Sequence, residues 1–176
     1  MKISKSTIQV YYLRGEYGYW ADISLDIGEN SGRCSIASDW GSWSNYWGAC
    51  GSSFKDFLTH LDIHYFAGKV GESHWLDVDA TILEWKREVL EYRRRDEITA
   101  EFARDIYDEI KELEDCDSAL LVAESYHKDA LMKFNDYCPS TVTGVSPRFR
   151  NFWDKAWNPF VEELKLEALQ EVAIAA

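Results

Sequence analysis

Tyr17-Gly18-Tyr19-Trp20-Ala21-Asp22-Ile23-Ser24-Leu25-Asp26-Ile27 decides the fold class, because its apolar residues fall on every second position. Tyr19, Ala21, Ile23, Leu25 and Ile27 alternate with Trp20, Asp22, Ser24 and Asp26, so an extended chain turns one apolar face inward and a mostly polar face outward. Upstream, residues 7–13 (TIQVYYL) are equally rich in β-branched and aromatic side chains, and Gly15 and Glu16 separate the two runs, which reads as a hairpin. Downstream, the turn residues 28–32 (GENSG) return the chain into a third strand over residues 33–38. A turn at residues 39–42 leads to a fourth over residues 43–47.

From Ser53 onward the apolar period lengthens from two to about three and a half, and the chain reads as helical. Phe54, Phe57, Leu58 and Leu61 form one stripe behind Ser52 or Ser53 as N-cap. Val78, Ile82, Trp85, Val89 and Tyr92 form a second, opened by Asp77 and closed by Arg93-Arg94-Arg95. Acid first and base last suits the helix dipole, so the basic run reads as a C-terminal cap and solvated face rather than a phosphate site. A helix over residues 98–113 is expected to face inward with Ile98, Phe102, Ile106, Ile110 and Leu113, and one over residues 118–134 with Leu120, Ala123, His127, Leu131 and Phe134. After the loop 138–144, Ser146-Pro147 opens a segment carrying Phe149, Phe152, Trp153, Ala156, Trp157, Phe160 and Leu164, which Pro159 should kink or restart. The expected architecture is α+β: an N-terminal antiparallel sheet of three or four strands packed with four or five α-helices. It is read as a single domain over residues 1–176, mainly β over 1–50 and mainly α over 53–176.

A chain of 176 residues buries about 70% of the surface its unfolded form exposes, and 46% hydrophobic with 15% aromatic content excludes wholesale disorder. No apolar run approaches the ~20 residues of a membrane span and none follows the N-terminal lysines, so a cytoplasmic protein that avoids the membrane is expected. Cys34, Cys50, Cys116 and Cys138 show no CxxC spacing, and neither a disulfide framework nor a zinc ribbon is expected. The formal net charge of −12 is concentrated: residues 96–138 hold 13 acidic against 4 basic residues, whereas residues 1–53 hold 5 against 4. Such a field repels nucleic acid and attracts basic surfaces.

Catalytic signatures are lacking. There is no GxSxG elbow, phosphate loop or dinucleotide fingerprint, and no cofactor is expected. His60 and His64 stand four apart on an expected helix, the spacing of a shared metal, with Asp56 and His74 nearby; the string HLDIH is not HExxH, and no metal site is assigned. A small metal-dependent enzyme built on this pair is the alternative to a binding protein. Two features stand above background. Trp40, Trp43 and Trp47 cluster within ten residues and either fill the core or contact a ligand or partner. Glu97, Glu101, Asp108, Glu109, Glu112, Glu114, Asp115 and Asp117 form an acidic surface that either solubilises the chain or meets a partner.

Residues 36–49 (IASDWGSWSNYWGA), followed by residues 54–58 (FKDFL) and 65–69 (YFAGK), resemble a family of small, uncharacterised phage and prophage proteins with an S-D-aromatic-G-x-aromatic-x-x-x-W-G string. The resemblance covers residues 33–70 and implies a phage origin and no catalytic residues. It implies an accessory protein in a bacterial host cell, of the kind that inhibits a host defence protein, anti-CRISPR or anti-restriction. In charge the chain is also similar to acidic inhibitors that imitate DNA. The expected partner is a host protein with a basic surface, such as a nucleic-acid-binding defence complex, met through the acidic helices and without direct contact to nucleic acid.

Overall fold

The computed structural model describes residues 6–136 and 139–175 of the chain. Four strands, β1 (Ile8–Arg14), β2 (Trp20–Ile27), β3 (Gly32–Ser38) and β4 (Gly41–Trp47), form an antiparallel meander in the order β1-β2-β3-β4. The alternation of β2 sets the register of the whole sheet. Ile23 lies between Tyr11 and Ile36, and Ile36 lies opposite Trp43, so one inner row runs across all four strands. Ala21, Ile23 and Leu25 are buried, whereas Asp22, Ser24 and Asp26 are partly open on the other face. The fourth strand begins at Gly41, two residues earlier than the aromatic pattern suggests.

Among the described residues eight α-helices follow: α1 (Phe54–Thr59), α2 (Ile63–Val70), α3 (Val78–Arg94), α4 (Ala100–Glu112), α5 (Ser118–Ser125), α6 (Asp129–Phe134), α7 (Pro147–Phe152) and α8 (Asn158–Ala175). Two short strands, β5 (Trp75–Leu76) and β6 (Thr143–Gly144), pair with each other. The fold is α+β, as expected, with more and shorter helices. Side-chain caps mark most of the helix starts. Ser53, Asp62, Asp77, Thr99, Asp117 and Ser146 each accept an N–H hydrogen bond from the helix they open, and of these Asp62 adds a start that the apolar stripes do not mark.

Two expectations change. His60 ends α1 as its C-cap and Asp62 opens α2, so His60 and His64 lie on different helices. The helix expected over 118–134 is two helices, because the chain leaves helical geometry between Ser125 and Asp129. The break rotates the inner face: Leu121, Ser125, Ala130, Leu131 and Met132 are buried, whereas Leu120, Ala123 and His127 are exposed. At Pro159 the segment restarts, in keeping with the expected kink or restart. A π-turn over Trp153–Trp157 precedes it, in which the Asn158 N–H donates to the Trp153 carbonyl five residues back, and α8 restarts at Asn158. Cys138, placed in the loop before α7, lies outside the described residues.

The chain read as one domain forms two compact units, one over residues 1–73 and 145–176 and the other over 74–144. In the first, the inner sheet face packs with the aromatic stripe of α7, the π-turn and α8. Ile23, Leu25, Trp43, Phe54, Phe66, Phe149, Phe152, Trp157 and Phe160 are buried in one core, and Phe66 and Trp157 lie 4.7 Å apart between ring centroids. The mainly β and mainly α halves are therefore not separate layers of sequence: α1, α2, α7 and α8 complete the core of the sheet. The second unit has its own core of Ile82, Trp85, Val89, Ile106, Ile110, Leu113, Leu121 and Leu131. Its ends are fastened by the β5–β6 pair and by Trp85 Nε1, which donates to the Ser140 carbonyl at 2.6 Å.

Candidate functional site

The carboxylates divide unevenly between the units. Residues 74–144 hold 18 Asp and Glu against 9 Lys and Arg, whereas the other unit holds 13 against 10. The acidic surface is therefore a property of the smaller unit, and α4 is its axis. Phe102, Ile106 and Ile110 turn inward from α4, which forces the intervening acidic positions outward.

Half of the eight acidic residues singled out by sequence have structural partners. Glu109 accepts the backbone N–H groups of Ala130 at 3.2 Å and Leu131 at 2.8 Å, which caps α6 from another helix. The cap is needed there, since Lys128, at the N-cap position of α6, offers no side-chain acceptor. Asp117 caps α5 by accepting from Ala119 at 3.0 Å and Leu120 at 2.9 Å. Glu112 binds Lys128 at 2.5 Å, and Glu114 binds Lys86. The hydrogen bond from Lys86 holds the Glu114 carboxyl below its ordinary range, and the bond to Glu112 raises the Lys128 ammonium above its own.

Glu97, Glu101, Asp108 and Asp115 are exposed and make no side-chain hydrogen bond or ion pair among the described residues. Sequence reasoning missed a fifth carboxylate of this kind, Asp105, which is exposed on α4 between Glu101 and Asp108. Glu101, Asp105 and Asp108 are spaced four and three residues apart, so they line one side of the helix at intervals of roughly 4.5–6 Å along its axis. The 4-3 spacing could have found Asp105. Asp105, Asp108, Glu109 and Asp129 line a shallow hollow of about 450 Å³ with Phe102 at its wall and Lys133 as its one cation. Among the described residues no three His, Cys, Asp or Glu side chains converge as metal ligands.

The histidines and tryptophans are placed as follows. His60 is exposed, with Nδ1 2.8 Å from the Asp56 carbonyl oxygen and 3.8 Å from its carboxylate. His64 is exposed on α2. Trp43 and Trp47 are buried in the sheet core and donate their indole N–H groups to Glu72 and to the Tyr65 hydroxyl. Trp40 is partly buried beside Tyr19 and Phe152, which leaves it the most accessible of the three rings. Cys34, Cys50 and Cys116 are free thiols, and burial pushes the Cys34 thiol far above its ordinary range.

A second concavity, about 600 Å³, lies in the larger unit between α1 and α8, with Ile27, Phe54, Leu164, Leu169 and Val172 on its walls. At it Lys55 Nζ binds Glu167 at 2.7 Å, and the Tyr11 hydroxyl donates to the same carboxylate at 2.9 Å. No helix among the described residues is long and apolar enough to cross a membrane.

No curated protein and no solved structure matches the chain. The model of a phage family matches residues 1–165, which takes in the sheet, the acidic unit and the aromatic stripe of α7 together. The phage origin that residues 33–70 suggest is supported, and the chain belongs to this phage family.

Proposed function

We propose that this phage accessory protein acts by binding a host protein with a basic surface, and that the contact is made by the free carboxylates of the smaller unit. The observation that carries the reading is the row Glu101, Asp105 and Asp108 on α4. These side chains are exposed, aligned and unpaired among the described residues, next to four acidic neighbours that are used to hold the unit together. Carboxylates spaced along a helix can occupy positions that phosphates take in a basic nucleic-acid groove, and opposite charge accelerates encounter. A host defence component that handles nucleic acid, of the CRISPR or restriction type, has such a groove, and a protein that fills it acts as an inhibitor. No bond is made or broken in this mechanism, and no cofactor enters it.

The test is affinity capture from host lysate by the full chain, with the bound protein identified by mass spectrometry and the capture repeated with E101K, D105K and D108K combined. The expected result is a nucleic-acid-binding partner, lost in the triple variant and weakened as salt rises. Capture that survives the triple variant, or that ignores salt, overturns the reading.

A further inference from the structure

We infer that the free edge of β1 and the outer side of α8 form one surface that pairs with a second copy of this chain. β1 is the first strand of the meander, and among the described residues its backbone is paired on one side only, with β2. The devices that keep edge strands apart are lacking in it. Ile8–Arg14 contains no Pro, no bulge and no Lys, and Ile8, Val10 and Tyr12 are exposed. α8 runs alongside. Pro159 and Glu163 lie near Leu13 and Arg14, Phe160 packs on the Tyr11 ring at 5.0 Å, and Glu167 accepts a hydrogen bond from the Tyr11 hydroxyl. Beyond its buried residues Phe160, Val161 and Leu164, this helix also exposes Leu166, Leu169, Val172 and Ile174. A helix that is apolar on both sides is normally covered on both.

The geometry of β1 selects the occupant. An antiparallel strand pair is related by a two-fold axis, so an open edge is complementary to itself. With the axis at Tyr11 all seven residues pair: Ile8 with Arg14, Gln9 with Leu13, Val10 with Tyr12, and Tyr11 with Tyr11 of the second copy. Inner residues then meet inner residues, and the two sheets join into one of eight strands with aromatic and β-branched pairs across the seam. Charge agrees with this partner. Arg14, paired with Asp22 of its own chain at 2.6 Å, falls across from Ile8 of the other copy, so no like charges meet along the seam. The two copies meet through the unit whose charges nearly balance rather than through the one that carries the acid.

Light scattering of the full chain after size exclusion tests this. The expected mass is twice the 20.4 kDa of the chain, declining toward 20.4 kDa on dilution. V10K combined with L169E, both at exposed positions, should give the single-chain mass at every concentration with an unchanged circular dichroism spectrum. A single-chain mass for the wild-type protein throughout, or a dimer that persists in the double variant, overturns the proposal. A wild-type monomer that captures a foreign protein through β1 overturns it too, in favour of strand addition by another chain. Because the variants lie outside the acidic unit, their failure is distinguishable from failure of the carboxylate row.

Discussion

Trp43 donates its indole N–H to Glu72 at 2.9 Å, and both side chains are buried. Glu72 also accepts from Ser146 and is held by Arg148, so a carboxylate inside the larger unit joins the sheet to the start of α7. Burial works against its ionisation, but the hydrogen bonds from Arg148, Ser146 and Trp43 outweigh it and hold the carboxyl below the ordinary range. A depressed folded value stabilises the fold fully above the unfolded carboxyl value, and the contribution is lost as pH falls through the folded one. Glu72→Gln should therefore cost about 1–3 kcal/mol at neutral pH by urea unfolding, and its disadvantage should shrink in acid. An E72Q protein whose deficit is independent of pH would contradict this account.

Glu109 is expected to behave as a structural residue although it lies among the acidic surface positions. Glu109→Ala removes the cap of α6 and should lower stability by about 1 kcal/mol, with faster hydrogen exchange at the amides of Ala130 and Leu131. Unchanged protection of those two amides would show that α6 does not depend on it.

The opposite is expected of the free row. E101K, D105K and D108K should each change the unfolding free energy from urea titration by no more than about 0.5 kcal/mol, since each side chain is exposed and unpaired among the described residues. A triple variant that unfolds cooperatively like the wild type licenses reading its binding loss as a loss of contact.

Gly32 marks a close approach in the core of the larger unit. A Cβ at Gly32 would stand 2.2 Å from the Phe54 ring, in a strand position opposite Trp47, so Gly32→Ala should destabilise by about 1–3 kcal/mol as the ring is displaced. Gly48→Ala, where the nearest atom is 3.7 Å away, is the control and should be near neutral in the same thermal melt.

Local order was readable from residues alone where one period governed a whole element. The alternation of residues 19–27 yields β2 and its register, and the stripe from Phe149 to Leu164 yields a buried face in which Phe149, Phe152, Ala156, Trp157, Phe160 and Leu164 are all inside. Where two short helices follow each other, the same logic misplaces side chains. His127 looks buried only if Ser118 to Phe134 is one helix, and the break after Ser125 puts it in water. The acidic surface was legible as composition but not as function of each residue. Glu109 and Glu112 differ from Asp108 only through partners on a segment about twenty residues away, and no local pattern announces those contacts. The strands β5 and β6, two residues each and far apart in the chain, likewise give no periodic signal.

The acidic unit is carried between two neighbouring points of the larger one, since Ser146 donates its N–H to the carbonyl of Glu72 at 2.9 Å while Trp75 pairs with Gly144 inside the unit itself. A segment with adjoining ends behaves as a cassette. It can be lengthened, exchanged or lost in one event without severing a strand or altering the order of the four-stranded sheet.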